Sequence, residues 1–130
     1  MRFILICLQG ALILRFAFYR MRTSGFKSRT HRADHFEKHR RRLSIPPGLL
    51  YEVLYERMAD DFLSERLNGT SDEFTRRWNL DVVRFDRRRD VLACRTGGIV
   101  FVKSCYRPDP LVHGFPTNWD YYLSEKAKGI

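Results

Sequence analysis

Two short stretches of the chain collect side chains that can move protons and hold phosphate. The first, H-F-E-K-H, sets His35, Lys38 and His39 within five residues. The second, K-S-C-Y-R, sets Lys103, Ser104, Tyr106 and Arg107 along a run with strand character. An imidazole can take a proton from a hydroxyl or return one, and ammonium and guanidinium groups neutralise charge that develops on phosphorus. Serine and tyrosine hydroxyls donate hydrogen bonds to the same oxygens. These groups suffice to cleave RNA without a metal, by attack of a 2′-hydroxyl on the adjacent phosphate. The two clusters must be brought across one phosphate for that to happen.

Other residues invite different readings. His31, His35 and His39 recur every four residues, so a helix would align them along one side. That spacing permits a zinc site, but the chain has neither H-E-x-x-H nor a paired-thiol motif, and no metal is expected. The runs Arg40, Arg41, Arg42 and Arg87, Arg88, Arg89 suit phosphate attraction better than catalysis. Arg40, Arg41, Arg42 and Lys103 are therefore the expected RNA-binding cations. Phe36 reads as core, His113 in H-G-F-P-T-N as a structural or capping residue, and Thr96-Gly97-Gly98 as a hairpin turn. Cys7, Cys94 and Cys105 form no C-x-x-C pair. Cys94 and Cys105, in adjacent strands, could bridge, but buried free thiols are the expectation.

The elements that must position these residues follow from periodicity. Ser44-Ile45-Pro46-Pro47 stops the histidine segment, and a proline there can open the next helix. From Gly48 to Leu67 the chain reads as an amphipathic helix. Leu50, Leu54, Met58 and Phe62 form its core stripe, widened by Tyr51, Val53 and Leu63, with Glu52, Glu56, Asp60 and Glu65 on the outer side. The period then shortens. Val82–Phe85, Val91–Cys94 and Ile99–Tyr106 are β-rich and joined by short charged or glycine-containing turns, which makes an antiparallel meander. Thr117-Asn118 can cap a short C-terminal helix that packs Trp119, Tyr122 and Leu123 inward. The fold class is α+β: N-terminal helices on a small antiparallel meander with a short C-terminal helix. The long helix should cover one face of the sheet and leave the other free for a ligand.

With 130 residues, 44% of them hydrophobic, the chain can build one modest core, and a disordered reading is disfavoured. The net charge of +9 implies an anionic partner. Residues 1–47 carry eleven basic and two acidic side chains, whereas residues 48–130 carry thirteen of each. Residues 1–30 divide from 31–130 as an apolar, then basic, extension or linker ahead of the domain. Phe3–Leu14 is short and interrupted for a membrane span, and no small-residue cleavage site follows it. A signal or anchor is the alternative to a misplaced start or an inherited linker. Residues 20–33 read as flexible, residues 1–29 as dispensable for folding, and no stable membrane association is expected of 31–130.

Taken in order, H-F-E-K-H, M-A-D-D-F-L, D-V-V-R-F-D, T-G-G-I-V and Y-R-P-D-P-x-x-H-G-F-P-T-N-x-D-Y-Y resemble the C-terminal ribonuclease toxin domains of polymorphic and contact-dependent inhibition systems. The layout is similar to the colicin D tRNase, within the group that links barnase, EndoU, colicin and RelE-like nucleases. The resemblance covers roughly residues 34–124. It implies that His39 is the catalytic histidine, paired with Lys38, and that Arg84 and Asp86 match the strand motif. Ser104, Tyr106 and Arg107 match the closing strand. Arg40 stands where the family usually has glycine, and S-C-Y-R replaces T-x-F-K.

On this basis His39 is the expected general acid or base and His35 its partner. Lys38, Arg84 and Arg107 are the transition-state cations, and Ser104 and Tyr106 the phosphate donors. The product would be a 2′,3′-cyclic phosphate and no cofactor is needed. The substrate is RNA, with tRNA the leading candidate. The resemblance also implies an acidic immunity protein as partner and delivery of the domain into a target-cell cytoplasm. A non-catalytic basic nucleic-acid-binding module is the alternative function, and a membrane-associated protein using Phe3–Tyr19 is a further one.

Overall fold

The structure, a computed structural model, describes residues 22–97 and 100–130. The apolar run Phe3–Tyr19 lies outside the described residues. Helix α1 spans Arg29–His39 and starts at Ser28, whose hydroxyl accepts from the His31 N–H at 3.1 Å. Lys38 and His39 in its last turn complement the negative end of the helix dipole. Helix α2 spans Leu49–Ser64. Strands β1 (Ser71–Thr75), β2 (Val82–Asp86), β3 (Val91–Arg95) and β4 (Val102–Tyr106) form an antiparallel sheet in the order β1-β2-β3-β4. A single turn, α3 (Pro110–His113), leads to α4 (Asn118–Gly129), which Thr117 caps by accepting from the Asp120 N–H at 3.1 Å. The α+β class and the meander are therefore as expected, with β1 as an additional strand.

Each face of the sheet has its own core. On one side Val91, Ala93, Val102 and Cys105 pack against Phe36 of α1 and Tyr55, Ala59, Phe62 and Leu63 of α2. On the other, Phe74, Val83, Phe85, Leu92 and Cys94 pack against Tyr122, with Trp119, Tyr121 and Tyr106 at the margin. The expected free face is thus covered by α4. Leu123, expected inside, is 40% exposed. Between β3 and β4 the register shifts, pairing Cys94 with Ser104 but Arg95 with Val102. Lys103 is the extra residue of that bulge and points outward. Cys94 and Cys105 fall in the two different cores and remain free thiols, so no bridge forms between them.

Two further expectations are corrected. The buried face of α2 is Tyr55, Ala59, Phe62 and Leu63: Phe62 and Leu63 are inside as expected, but the face is centred about 100° round from the expected stripe. Leu50, Leu54 and Met58 are 68%, 47% and 37% exposed. The acidic side turns inward because it has partners there. Arg32 donates to Glu52 at 2.9 Å and to Glu56 at 3.3 Å, and Asp60 accepts from the backbone and hydroxyl of Thr23 at 2.6 and 2.7 Å.

The second correction concerns the expected linker. Ser24 N–H donates to Val100 O at 2.8 Å, Val102 N–H donates to Gly25 O at 2.9 Å, and Phe26 bridges Val102 in parallel. Phe26 is 5% exposed and lies in the first core. Gly25 makes this approach possible: its φ is +77°, and a Cβ there would meet the Glu56 carboxylate at 2.7 Å. The segment closes the edge of β4, so a cut at residue 29 would remove a core phenylalanine.

Candidate active site

The three histidines of α1 form a ladder, as their spacing requires. His31 meets His35 edge-on at 4.6 Å between ring centroids, and His35 lies 5.6 Å from His39. Phe26 stacks on His35 at 5.5 Å. At the end of the helix, His39 stacks on Tyr106 of β4 at 4.8 Å with 24° between planes. The two sequence clusters therefore meet, through His39 and Tyr106.

The environment of His39 favours its neutral form. Burial against Tyr106 pushes its pKa down to about 4, and repulsion from His35 and Lys38 adds to the shift. His35 is lowered too, first by burial and then by His31 and Lys38, with Asp34 opposing. Its Nδ1 is buried without a hydrogen-bond partner among the described residues. Tyr106 is pushed up by burial and by a hydrogen bond with Tyr121, so it keeps its proton near neutrality; Glu125 adds to that rise and the Arg76 guanidinium opposes it. Arg76 Nη1 approaches Cys94 Sγ at 3.9 Å, while its Nε is buried with no partner among the described residues. Cys94 lies opposite Ser104, half-buried and two residues from Tyr106. Burial raises the Cys94 thiol to about 11 and the Cys105 thiol to about 12, which leaves neither as a nucleophile at neutral pH.

Tyr121 is positioned by the loop that contains His113. Its ring stacks on His113 at 4.4 Å and 6°. His113 Nδ1 accepts from the Phe115 N–H at 3.0 Å, which leaves Nε2 as the donor to Asn118 Oδ1 at 2.8 Å. Asn118 in turn donates to both oxygens of Asp90 at 3.0 Å. His113 has the structural place expected of it.

Several expected cations lie elsewhere. Arg84 is 1% exposed. It donates to the carbonyls of Phe62 and Glu65, each at 2.6 Å, and to Glu73 at 3.0 and 3.2 Å, so it ties the end of α2 to the sheet. Asp86 organises the β2–β3 turn, accepting from Thr70 at 2.8 Å and from the Arg88 N–H at 2.9 Å. Arg107 donates to the carbonyls of Arg42, Arg89 and Asp90 at 2.9–3.1 Å. Arg42 returns the contact, to the carbonyls of Arg107 and Pro108 at 3.1 and 2.7 Å. The pair is a latch between two loops. Arg40 pairs with Glu37 at 3.4 Å, and Lys103 with Asp81 at 2.6 Å. Lys38 and Arg41 are exposed beside His39.

The site thus combines His39, Tyr106 and Ser104, which the sequence indicates, with Arg76, Tyr121 and Glu125, which sequence reasoning missed. Tyr121 sits in the D-Y-Y end of the resembling pattern, a signal that could have found it. Arg76 has no local signal. Among the described residues no group of three His, Cys, Asp or Glu side chains converges to hold a metal, so the histidine ladder runs along the helix without closing round an ion. Likewise, no helix among them is long and apolar enough to cross a membrane. Comparison of the chain with protein-family models, curated proteins and solved structures finds no match.

Proposed function

We propose that the domain is a metal-independent endoribonuclease of the toxin type, cleaving RNA by attack of a 2′-hydroxyl on the neighbouring phosphate. The observation that carries this reading is the stack of a neutral, half-buried His39 on Tyr106, whose hydroxyl is joined to Tyr121 beside Arg76. His39 accepts the 2′-hydroxyl proton, and the 2′-oxygen forms its bond to phosphorus as the bond to the 5′-oxygen breaks. The products are a 2′,3′-cyclic phosphate and a free 5′-hydroxyl.

Arg76 neutralises the phosphorane, and the tyrosine pair supplies the nearest O–H donors for its oxygens and for the leaving 5′-oxygen. His35 acts by keeping His39 neutral. Lys38 and Arg41 attract the RNA, and the same charge would steer an acidic immunity protein to the site. A delivered effector acting on tRNA in a target-cell cytoplasm is the biological setting that fits the resemblance.

The test is incubation of the full chain with total RNA in EDTA, with the product ends identified. His39→Ala should lower the cleavage rate by about 10² to 10⁴ while circular dichroism stays unchanged. The acid limb of kcat/KM should lie near pH 4 and not near 6.5, because a base with a lowered pKa stays unprotonated further into acid. Near wild-type turnover by His39→Ala, or binding of intact RNA without cleavage, would replace the enzyme reading by that of a nucleic-acid-binding module.

A further inference from the structure

The β1–β2 loop, Arg76–Asp81, is built rigidly and yet holds a tryptophan out of the protein. Arg76 N–H donates to Asp81 O and Leu80 N–H to Arg76 O, both at 2.8 Å, and Arg77 N–H donates to Gly129 O at 2.7 Å. Asn79 and Asp81 exchange two more bonds at 2.9 Å. Leu80 takes φ +61°, a strained value for a leucine, and Gly97 lies so close that a Cβ there would collide with the Leu80 carbonyl. Lys103 of β4 fixes the loop from the other side through Asp81 at 2.6 Å. With all this fixation Trp78 remains 62% exposed. Folding leaves most of the largest apolar side chain in the loop in water, on a scaffold too well bonded for that to be slack.

Arg76 links this tryptophan to the candidate active site. Its guanidinium carbon lies 5.8 Å from the centre of the Trp78 ring, and its Nη1 reaches Cys94, opposite Ser104. A base on Trp78 and a phosphate at Tyr106 would therefore sit on two sides of one arginine. The exposed Arg77 adds a second cation at the rim.

We infer that Trp78, flanked by Arg76 and Arg77, is a stacking platform for an unpaired base of RNA next to the scissile phosphate. The inference rests on the ribonuclease reading and narrows its substrate to single-stranded segments, since a paired base has no free face to offer. Stacking on an aromatic ring is tolerant of base identity and accounts for substantial affinity per base. Because the platform lies beside the reacting phosphate without touching it, it acts on binding and not on the chemical step.

The experiment compares Trp78→Ala and Trp78→Phe, in the full chain, for binding and cleavage of a fluorescein-labelled single-stranded RNA oligonucleotide and its duplex. Binding is measured in a His39→Ala background so that the RNA stays intact. Trp78→Ala should weaken single-strand binding by about 5- to 100-fold and raise KM by a like factor with kcat nearly unchanged, while Trp78→Phe retains most of the affinity. Duplex should bind more weakly than single strand to the tryptophan protein. Equal affinity of the Trp78→Ala and parent proteins for RNA that is still cleaved would overturn the platform and leave the ribonuclease standing. Tryptophan-dependent binding without any cleavage would uphold Trp78 as a base platform but remove the ribonuclease and, with it, the scissile phosphate beside the platform. If no RNA is bound at all, both fall.

Discussion

Arg84 stands on β2 and Arg76 opens the β1–β2 loop, and the two differ in almost everything but residue type. Arg84 faces α2, is 1% exposed, and has its guanidinium committed to Glu73 and to two carbonyls at the end of that helix. Arg76 faces α4, keeps a buried Nε without a partner among the described residues, and lies between an exposed tryptophan and a weakly bonded thiol. A guanidinium whose three nitrogens all bond inside the protein is a peg. One held in place with a donor left over is available for a ligand, because an unpaired buried donor has a standing gain from any acceptor that reaches it.

Exchanging each arginine for alanine separates the two kinds and is the largest effect expected. Arg84→Ala removes the guanidinium that Glu73 and the carbonyls of Phe62 and Glu65 share, and should cost about 3 to 5 kcal/mol in urea unfolding. Arg76→Ala removes no comparable set of bonds, so its unfolding midpoint should stay close to wild type while cleavage falls sharply. If Arg84→Ala folded normally and lost only activity, the assignment of the two roles would be inverted.

How far the sequence carried this distinction depends on the element. The helix and strand periods were visible in the chain, as was the cap at Thr117, because each rests on local spacing. Strand β1, S-D-E-F-T, offers one large apolar residue and gives no alternation to read. It holds its place at the sheet edge through Glu73 with Arg84, and through Asp72, which accepts from Tyr122 at 2.7 Å and from Lys126 at 2.8 Å. All three partners are distant in sequence. The same holds for the site. His39 and Tyr106 were legible as types, but Arg76 reaches them only through the register of β2, β3 and β4. Arg42, Arg84 and Arg107 look like phosphate ligands in sequence because nothing local tells a guanidinium that will meet a phosphate from one that will meet a carbonyl.

A smaller effect comes from His39, on the same side as Arg76. Its pKa is about 4 in the folded chain against an ordinary 6.5, so between those values the unfolded chain carries more protons. Stability is therefore complete above about pH 6.5 and declines as pH falls toward 4. His35 shifts in the same direction. After screening by solvent at this partly open site, the loss should be about 1 to 2 kcal/mol between pH 7 and 4.5. His39→Gln should flatten the dependence of the urea midpoint on pH in that interval. A slope unchanged by the substitution would mean that burial does not depress the His39 pKa in the folded chain.

The smallest effect is expected on the far side of α2 from its core, where the sequence places a hydrophobic stripe and the structure leaves it open. Leu50 and Leu54 are 68% and 47% exposed, whereas Leu63 on the same helix is 1% exposed. Burial of a leucine stabilises only in proportion to the area withdrawn from water, and a fully buried one truncated to alanine also leaves a cavity. Leu63→Ala should therefore cost about 2 to 5 kcal/mol, and Leu50→Ser or Leu54→Ser less than about 0.5 kcal/mol each in chemical unfolding of the full chain. The two exposed positions are one turn apart, so the double variant tests whether the stripe acts as a unit. Additive, near-zero values would show that α2 is held by Tyr55, Ala59, Phe62 and Leu63 and by its acidic contacts with Arg32 and Thr23. A double variant that loses more than about 1.5 kcal/mol would show the stripe to be covered in solution, since so large a change at exposed leucines has no other source in the contacts of this helix.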